Sequence, residues 1–168
     1  MQVFDASSMI YACDNYPVRQ FPPLWKWMGV QIKEKKLVMP SVAFDEVINK
    51  TPDCGAWLKE NDLTQLEISN AIVQEAMRIK GLLGIVDDNY HAKGVGENDI
   101  LIIATAGVYK AELVSDEERQ TTPHQVPKKR KIPAVCGLNE VAIPCINFIV
   151  YIKRSDQIFR YSAVLRPY

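Results

Sequence analysis

The chain has no apolar run approaching the ~20 residues that a membrane span requires. Its opening, MQVFDASSMI, carries an acid where a secretory leader carries basic residues, and the apolar stretch there is too short. The expectation is a soluble, cytoplasmic protein with no membrane partner. Excess charge is missing as well: 20 Lys plus Arg balance 20 Asp plus Glu. A nucleic-acid partner would therefore need a local basic patch rather than overall attraction. No cysteine pair has CxxC spacing, and neither histidine stands at ligand spacing from Cys13, Cys54, Cys136 or Cys145. This disfavours a zinc site, and without a leader it disfavours a disulfide framework. Four reduced, buried thiols are expected. Internal repeats and low-complexity segments are absent.

What is present is an ordinary globular composition, 24% charged over 168 residues, enough for one domain with a real core. Short apolar runs (MQVFD, KLVMP, AELVS, VAIPC, and LTQLEIS as either a turn or a short edge strand) alternate with helical patterns. FPPLWKWMGVQIKEKK repeats its apolar residues at Leu24, Trp25, Met28 and Ile32, with Pro22 and Pro23 in the first turn. Ser7 or Ser8 is expected to cap the first helix and Ser41 the one in SVAFDEVINK. The pattern predicts an α/β fold of three α/β/α layers around a mostly parallel sheet of four to five strands. One domain over residues 1–153 accounts for these elements, and the tail 154–168 carries no assignment.

In such sheets functional groups gather outside the carboxyl ends of the strands. Acids stand there in four separate segments: Asp5 after the first strand, Asp45 and Glu46 in the helix after the second, Glu97 and Asp99 heading an apolar helix, and Asp116 and Glu117 after AELV. Taken alone, Asp99 is accounted for by a favourable helix dipole, worth ~0.3–1 kcal/mol. It shares a helical face with Ile102, Ile103 and Ala106, however, and so points along the packed side as the innermost of the acids. Converging carboxylates without matching Lys or Arg repel one another unless a cation intervenes. Mg²⁺ or Mn²⁺, hard ions that take oxygen ligands, are the natural choice.

The motifs VFDASSMI, VMPSVAFDEV, ENDILIIATA and ELVSDEE, in this order, resemble the four acidic motifs of the PIN-domain nucleases, in particular the toxin-type, VapC-like members. FPPLWKWM and KRKIPAVCGLNEVAIPC also resemble an uncharacterised bacterial PIN subfamily. The resemblance implies a PIN-like fold and Mg²⁺- or Mn²⁺-dependent cleavage of RNA, with Asp5, Glu46, Asp99 and Glu117 as catalytic acids and metal ligands. Glu117 stands where the family usually has Asp, so Asp116 remains the alternative fourth ligand. Ser7 and Ser115 would orient the ligands. Small bacterial members are typically toxins, which implies a cognate antitoxin partner, and a homodimer is left open. The alternative is a PIN-like module that binds RNA or protein without cutting.

The run Lys128, Lys129, Arg130 and Lys131 is either a solvated loop or a phosphate-contacting arm that binds RNA. Trp25 and Trp57 fit core packing better than base stacking, and the loop residues His91 and His124 are given no role. GVGEND lacks the third glycine of a dinucleotide loop, and its acids would repel a pyrophosphate. A phosphoaspartyl enzyme would need a second Asp where Ser7 stands.

Overall fold

A computed structural model describes residues 1–160. Five parallel strands form one sheet in the order β3-β2-β1-β4-β5. They are β1 (Gln2–Phe4), β2 (Leu37–Pro40), β3 (Gln65–Leu66), β4 (Glu112–Val114) and β5 (Cys145–Ile146). The helices around them are α1 (Ala6–Asn15), α2 (Pro22–Lys33), α3 (Ser41–Lys50), α4 (Pro52–Glu60), α5 (Asn70–Leu82), α6 (Glu97–Val108), α7 (Ile132–Cys136) and α8 (Phe148–Arg154). The α/β architecture expected from the sequence is the one observed, with every strand pairing parallel.

Strand β2 is buried at all four positions, and the near-continuous apolar runs arise because both faces of a parallel sheet are covered. Helix α2 buries Leu24, Trp25, Met28 and Ile32, as its spacing predicts. Trp25 meets Trp57 edge to face at 4.6 Å, and its indole N–H donates to the Tyr16 carbonyl. Both rings are thus spent on packing. Helix α6 buries Ile100, Ile102, Ile103, Ala104, Thr105 and Ala106 against α5 and the strands β1 and β4. A helix apolar on nearly all sides is one enclosed on nearly all sides.

Two local expectations are corrected. The first helix begins at Ala6 with Asp5 in the cap position, so Ser7 and Ser8 lie inside it. Helix α3 begins at Ser41 itself after Pro40, whose fixed φ leads directly into the helix, and Ser41 makes no side-chain cap.

The cysteine expectation is corrected too. Cys13 of α1 and Cys54 of α4 form a disulfide with a Cα–Cα distance of 6.2 Å, within the range a bridge requires. Only Cys136 and Cys145 are free thiols. The pairing follows from the packing of α1 on α4, which brings together residues 41 apart in the chain. Gly55 allows the neighbouring approach of α3 and α4, because a Cβ there would lie 3.0 Å from the Ile48 backbone.

Closing a loop of this length removes denatured-state entropy worth roughly 4 kcal/mol on the chain-entropy model. The double variant Cys13→Ala/Cys54→Ala is therefore expected to lose about 2–4 kcal/mol in chemical denaturation. An unchanged midpoint would show that the bridge adds nothing to the folded state.

Candidate functional site

The strand order reverses direction about β1. The chain runs from β1 outward through β2 to β3, then returns to the other side of β1 for β4 and β5. At such a switch point the connections leave in opposite directions and open a crevice beyond the strand ends. Phe4 pairs with Val114, so the next residues, Asp5 and Ser115, sit side by side at the mouth of that crevice. The Asp5 amide still donates to the Val114 carbonyl at 2.9 Å, which fixes the backbone from which the carboxylate projects.

Asp5 is 3% exposed, the sole carboxylate among the buried polar residues described. Two hydroxyls donate to the same oxygen, Oδ2: Ser7 Oγ at 2.5 Å and Ser115 Oγ at 2.9 Å. Ser7 Oγ in turn accepts the Asp116 amide at 3.0 Å, and Ser115 Oγ accepts the Glu117 amide at 3.3 Å. The two serines named from the sequence thus both bond Asp5. Their protons are aimed at Asp5 because the β4–loop backbone occupies their acceptor sides.

The remaining acids converge on this point from other elements. Asp99, in the first turn of α6, accepts the Gly96 amide at 2.8 Å and closes that helix's N-terminus. Glu97 is exposed, and so is Asp45 beside the half-buried Glu46. Glu117 accepts the Ile132 amide at the start of α7 at 3.3 Å. Asp116 behaves differently. Its Oδ2 accepts Ser8 Oγ at 2.8 Å and the Phe148 amide at 2.9 Å, so it joins α1 to α8. Of the two candidates for the fourth acid, Glu117 feels the charges of Asp99 and Glu46, while Asp116 is committed to this structural bridge.

Burial pushes the Asp5 carboxyl up to about 7; the charges of Asp99 and Glu117 push the same way, against the two serine hydroxyls. Burial also raises Asp99, helped by Glu46, and raises Glu117, helped by Asp99 and Glu46. The four acids are therefore one electrostatic unit. Its most enclosed member is Asp5, and Asp99, expected from the sequence to be innermost, is only half-buried.

Two cations reach the cluster. Lys50 lies one helical turn beyond Glu46 and donates to its Oε1 at 2.5 Å, and its charge also acts on Asp5 and Asp99. Lys131 acts on Asp99 and Glu117. Lys50 was not picked out from the sequence, although Glu46 and Lys50 stand at the i,i+4 spacing that marks such a pair.

The basic run is half-exposed and held in place by its backbone. Gly94 is buried against it: a Cβ there would sit 1.9 Å from the Lys128 carbonyl oxygen, and Val95 N–H donates to the Arg130 carbonyl at 3.0 Å. Lys128 and Lys129 gather near His91, and Arg130 Nε donates to the His124 carbonyl. Of the four, Lys131 is the one whose charge reaches the acids.

Oxygen donors of this kind suit a hard divalent ion. Among the described residues no three His, Cys, Asp or Glu side chains are grouped tightly enough to hold one as they stand. Each acid is turned toward a local donor instead: Glu46 to Lys50, Asp99 to Gly96, Glu117 to Ile132 and Asp5 to the serines.

A family model described as "Domain of unknown function (DUF4411)" matches residues 2–159. The chain belongs to this family. No curated protein matches its sequence. Among solved structures, a chain of DNA-bound VapBC from Salmonella typhimurium is 16% identical, with a TM-score of 0.54 over 88% of this chain and 97% of that one. A chain of VapBC2 from Rickettsia felis, bound to a DNA fragment from its promoter, is also 16% identical, with a TM-score of 0.48 over 77% and 96%. The first likeness extends the α/β architecture of this DUF4411 chain to a protein of nearly the same span.

The Asp5 shift has a thermodynamic sign. Its folded pKa, about 7, lies above the ordinary 3.8, so the stability it contributes is present at low pH and is lost as pH rises through 7. The loss is on the order of 4 kcal/mol. In chelator, stability should fall from about pH 4 to pH 8, and Asp5→Asn should flatten that slope and be the more stable protein at pH 8. A variant less stable than wild type at both pH values would refute the buried-charge account.

Proposed function

We propose that this chain is a Mg²⁺- or Mn²⁺-dependent endoribonuclease of PIN type, the toxin of a toxin–antitoxin pair. The observation that carries the reading is the convergence of Asp5, Glu46, Asp99 and Glu117 at the switch point between β1 and β4, with the most buried of them surrounded by like charge. The order of the motifs supports it, as does the fold shared with a chain of a VapBC complex. An RNA substrate and a cognate antitoxin would be the partners.

Asp5, Glu46 and Asp99 would hold the ion, and Glu117 would complete the set. When bound, such an ion neutralises phosphate charge and makes water a nucleophile at neutral pH. The chain's own groups do the rest. Ser7 and Ser115 keep Asp5 pointing into the crevice, and α6 anchors Asp99 through its buried face. Lys50 acts as the counter-ion of Glu46 until the carboxylate is needed, and its exposed ammonium is then free to approach the phosphate backbone. Lys131 brings its charge to Asp99 and Glu117, and Lys128, Lys129 and Arg130 precede it in the same half-exposed basic run. A backbone held in this way gives salt-sensitive binding.

Asp99→Asn is expected to remove Mn²⁺-dependent cleavage of single-stranded RNA by more than the roughly hundredfold that outer-shell changes cost, with the fold intact by circular dichroism. Full activity in that variant would overturn the assignment. Lys50→Met should tighten Mn²⁺ binding about twofold by calorimetry, the worth of an i,i+4 ion pair. A variant that binds Mn²⁺ more weakly would show that Lys50 supports the site rather than competing for it. A non-cutting binding module would show no Mn²⁺ binding that depends on Asp5.

A further inference from the structure

The two free thiols lie outside the acid cluster and have no part in the function proposed above. Cys136 is the last residue of α7 and is buried; Cys145 opens β5 and is partly accessible. Residues 137–144 fold back on themselves. Val141 and Ala142 amides both donate to the Leu138 carbonyl, and the Ile143 amide returns to the Cys136 carbonyl at 3.1 Å. Two residues further along, Cys145 is held in register opposite Leu113 of β4, and the Arg119 guanidinium donates to its carbonyl at 2.9 Å. The backbone thus brings the end of α7 and the start of β5 into contact, close enough for each thiol to bear on the other's ionisation.

We propose that Cys136 and Cys145 are an oxidisable dithiol, a modification site that a low-molecular-weight disulfide converts into an intramolecular Cys136–Cys145 bond. Cys145 is the attacking group. It is the accessible thiol of the two, and the neighbouring Cys136 thiol and the charge of Arg119 hold it below the usual range, while Cys136 is held above it. Cys145 gives up its proton, and its thiolate attacks one sulfur of the small disulfide, forming a mixed disulfide and releasing one small thiolate. Cys136 then loses its proton and attacks the Cys145 sulfur, releasing the second. Two protein thiols are oxidised by two electrons, and one small disulfide is reduced to two thiols.

The bond would cross-link α7 to β5. Both elements touch the acid cluster: the first amide of α7 holds Glu117, and the Ile146 carbonyl of β5 accepts the Ser115 amide at 2.8 Å. The inference stands whether or not the chain is a nuclease, because it rests on the thiols alone.

The full chain, reduced and then treated with oxidised glutathione, provides the test. No Lys or Arg lies between Ile132 and Lys153, so trypsin leaves both cysteines in one peptide. That peptide is expected to become lighter by two hydrogens and to resist alkylation, and the α7 amides should exchange more slowly. Cleavage after Glu140 should leave its two halves joined. Cys145→Ser should leave Cys136 unmodified. A stable glutathione adduct on Cys145, or a bond from either residue to Cys13 or Cys54, would overturn the proposal. Wild type alone decides the point if the variant does not fold.

Discussion

A carboxylate buried where the sheet changes direction is the constraint around which the rest of this molecule is arranged. Asp5 follows directly from the central strand and is almost without solvent. Placing an ionised group there is costly unless the surroundings supply donors or a cation. The two serine hydroxyls supply donors, but the neighbouring acids add repulsion, and the net result is a proton held up to about neutral pH. The ionised form of Asp5 is therefore the costly one, and added positive charge at the cluster would favour it.

The fold pins Asp99 and Glu117 through backbone amides and Asp5 through two serine hydroxyls that the backbone orients. The cap of α6 holds Asp99, the start of α7 holds Glu117, and the hydroxyl relay from the β4 loop holds Asp5. Among the described residues, Glu46 is the acid of the four held in an ion pair, with the mostly exposed Lys50. Gly94 has a related part at one remove. It lets the loop before α6 close against residues 128–130, so the basic run and Asp99 are set by one backbone contact.

Much of this was legible in the sequence because it is written in local patterns. The strands read as short apolar runs since they are buried on both faces, and Asp5 and Glu117 stand just beyond β1 and β4, on the edge where a parallel sheet opens its crevice. What was not legible depended on tertiary placement. Asp116 and Glu117 are adjacent and chemically alike; the fold separates them by giving Asp116 the Ser8 hydroxyl and the Phe148 amide. The order of burial between Asp5 and Asp99 was misjudged because helical periodicity describes a face and not its depth. The Cys13–Cys54 bridge lies across 41 residues, and spacing rules for cysteine are silent at that range.

The central proposal is that the acid cluster is a cation site whose Asp5 carries a proton until the ion arrives. Its most direct test is calorimetric titration of Mn²⁺ just below pH 7, repeated in buffers of different ionisation enthalpy. Binding should release a proton, because Asp5 must ionise to act as a ligand, and the release should fade above about pH 8. Binding with no proton release, or no binding at all, would contradict the account.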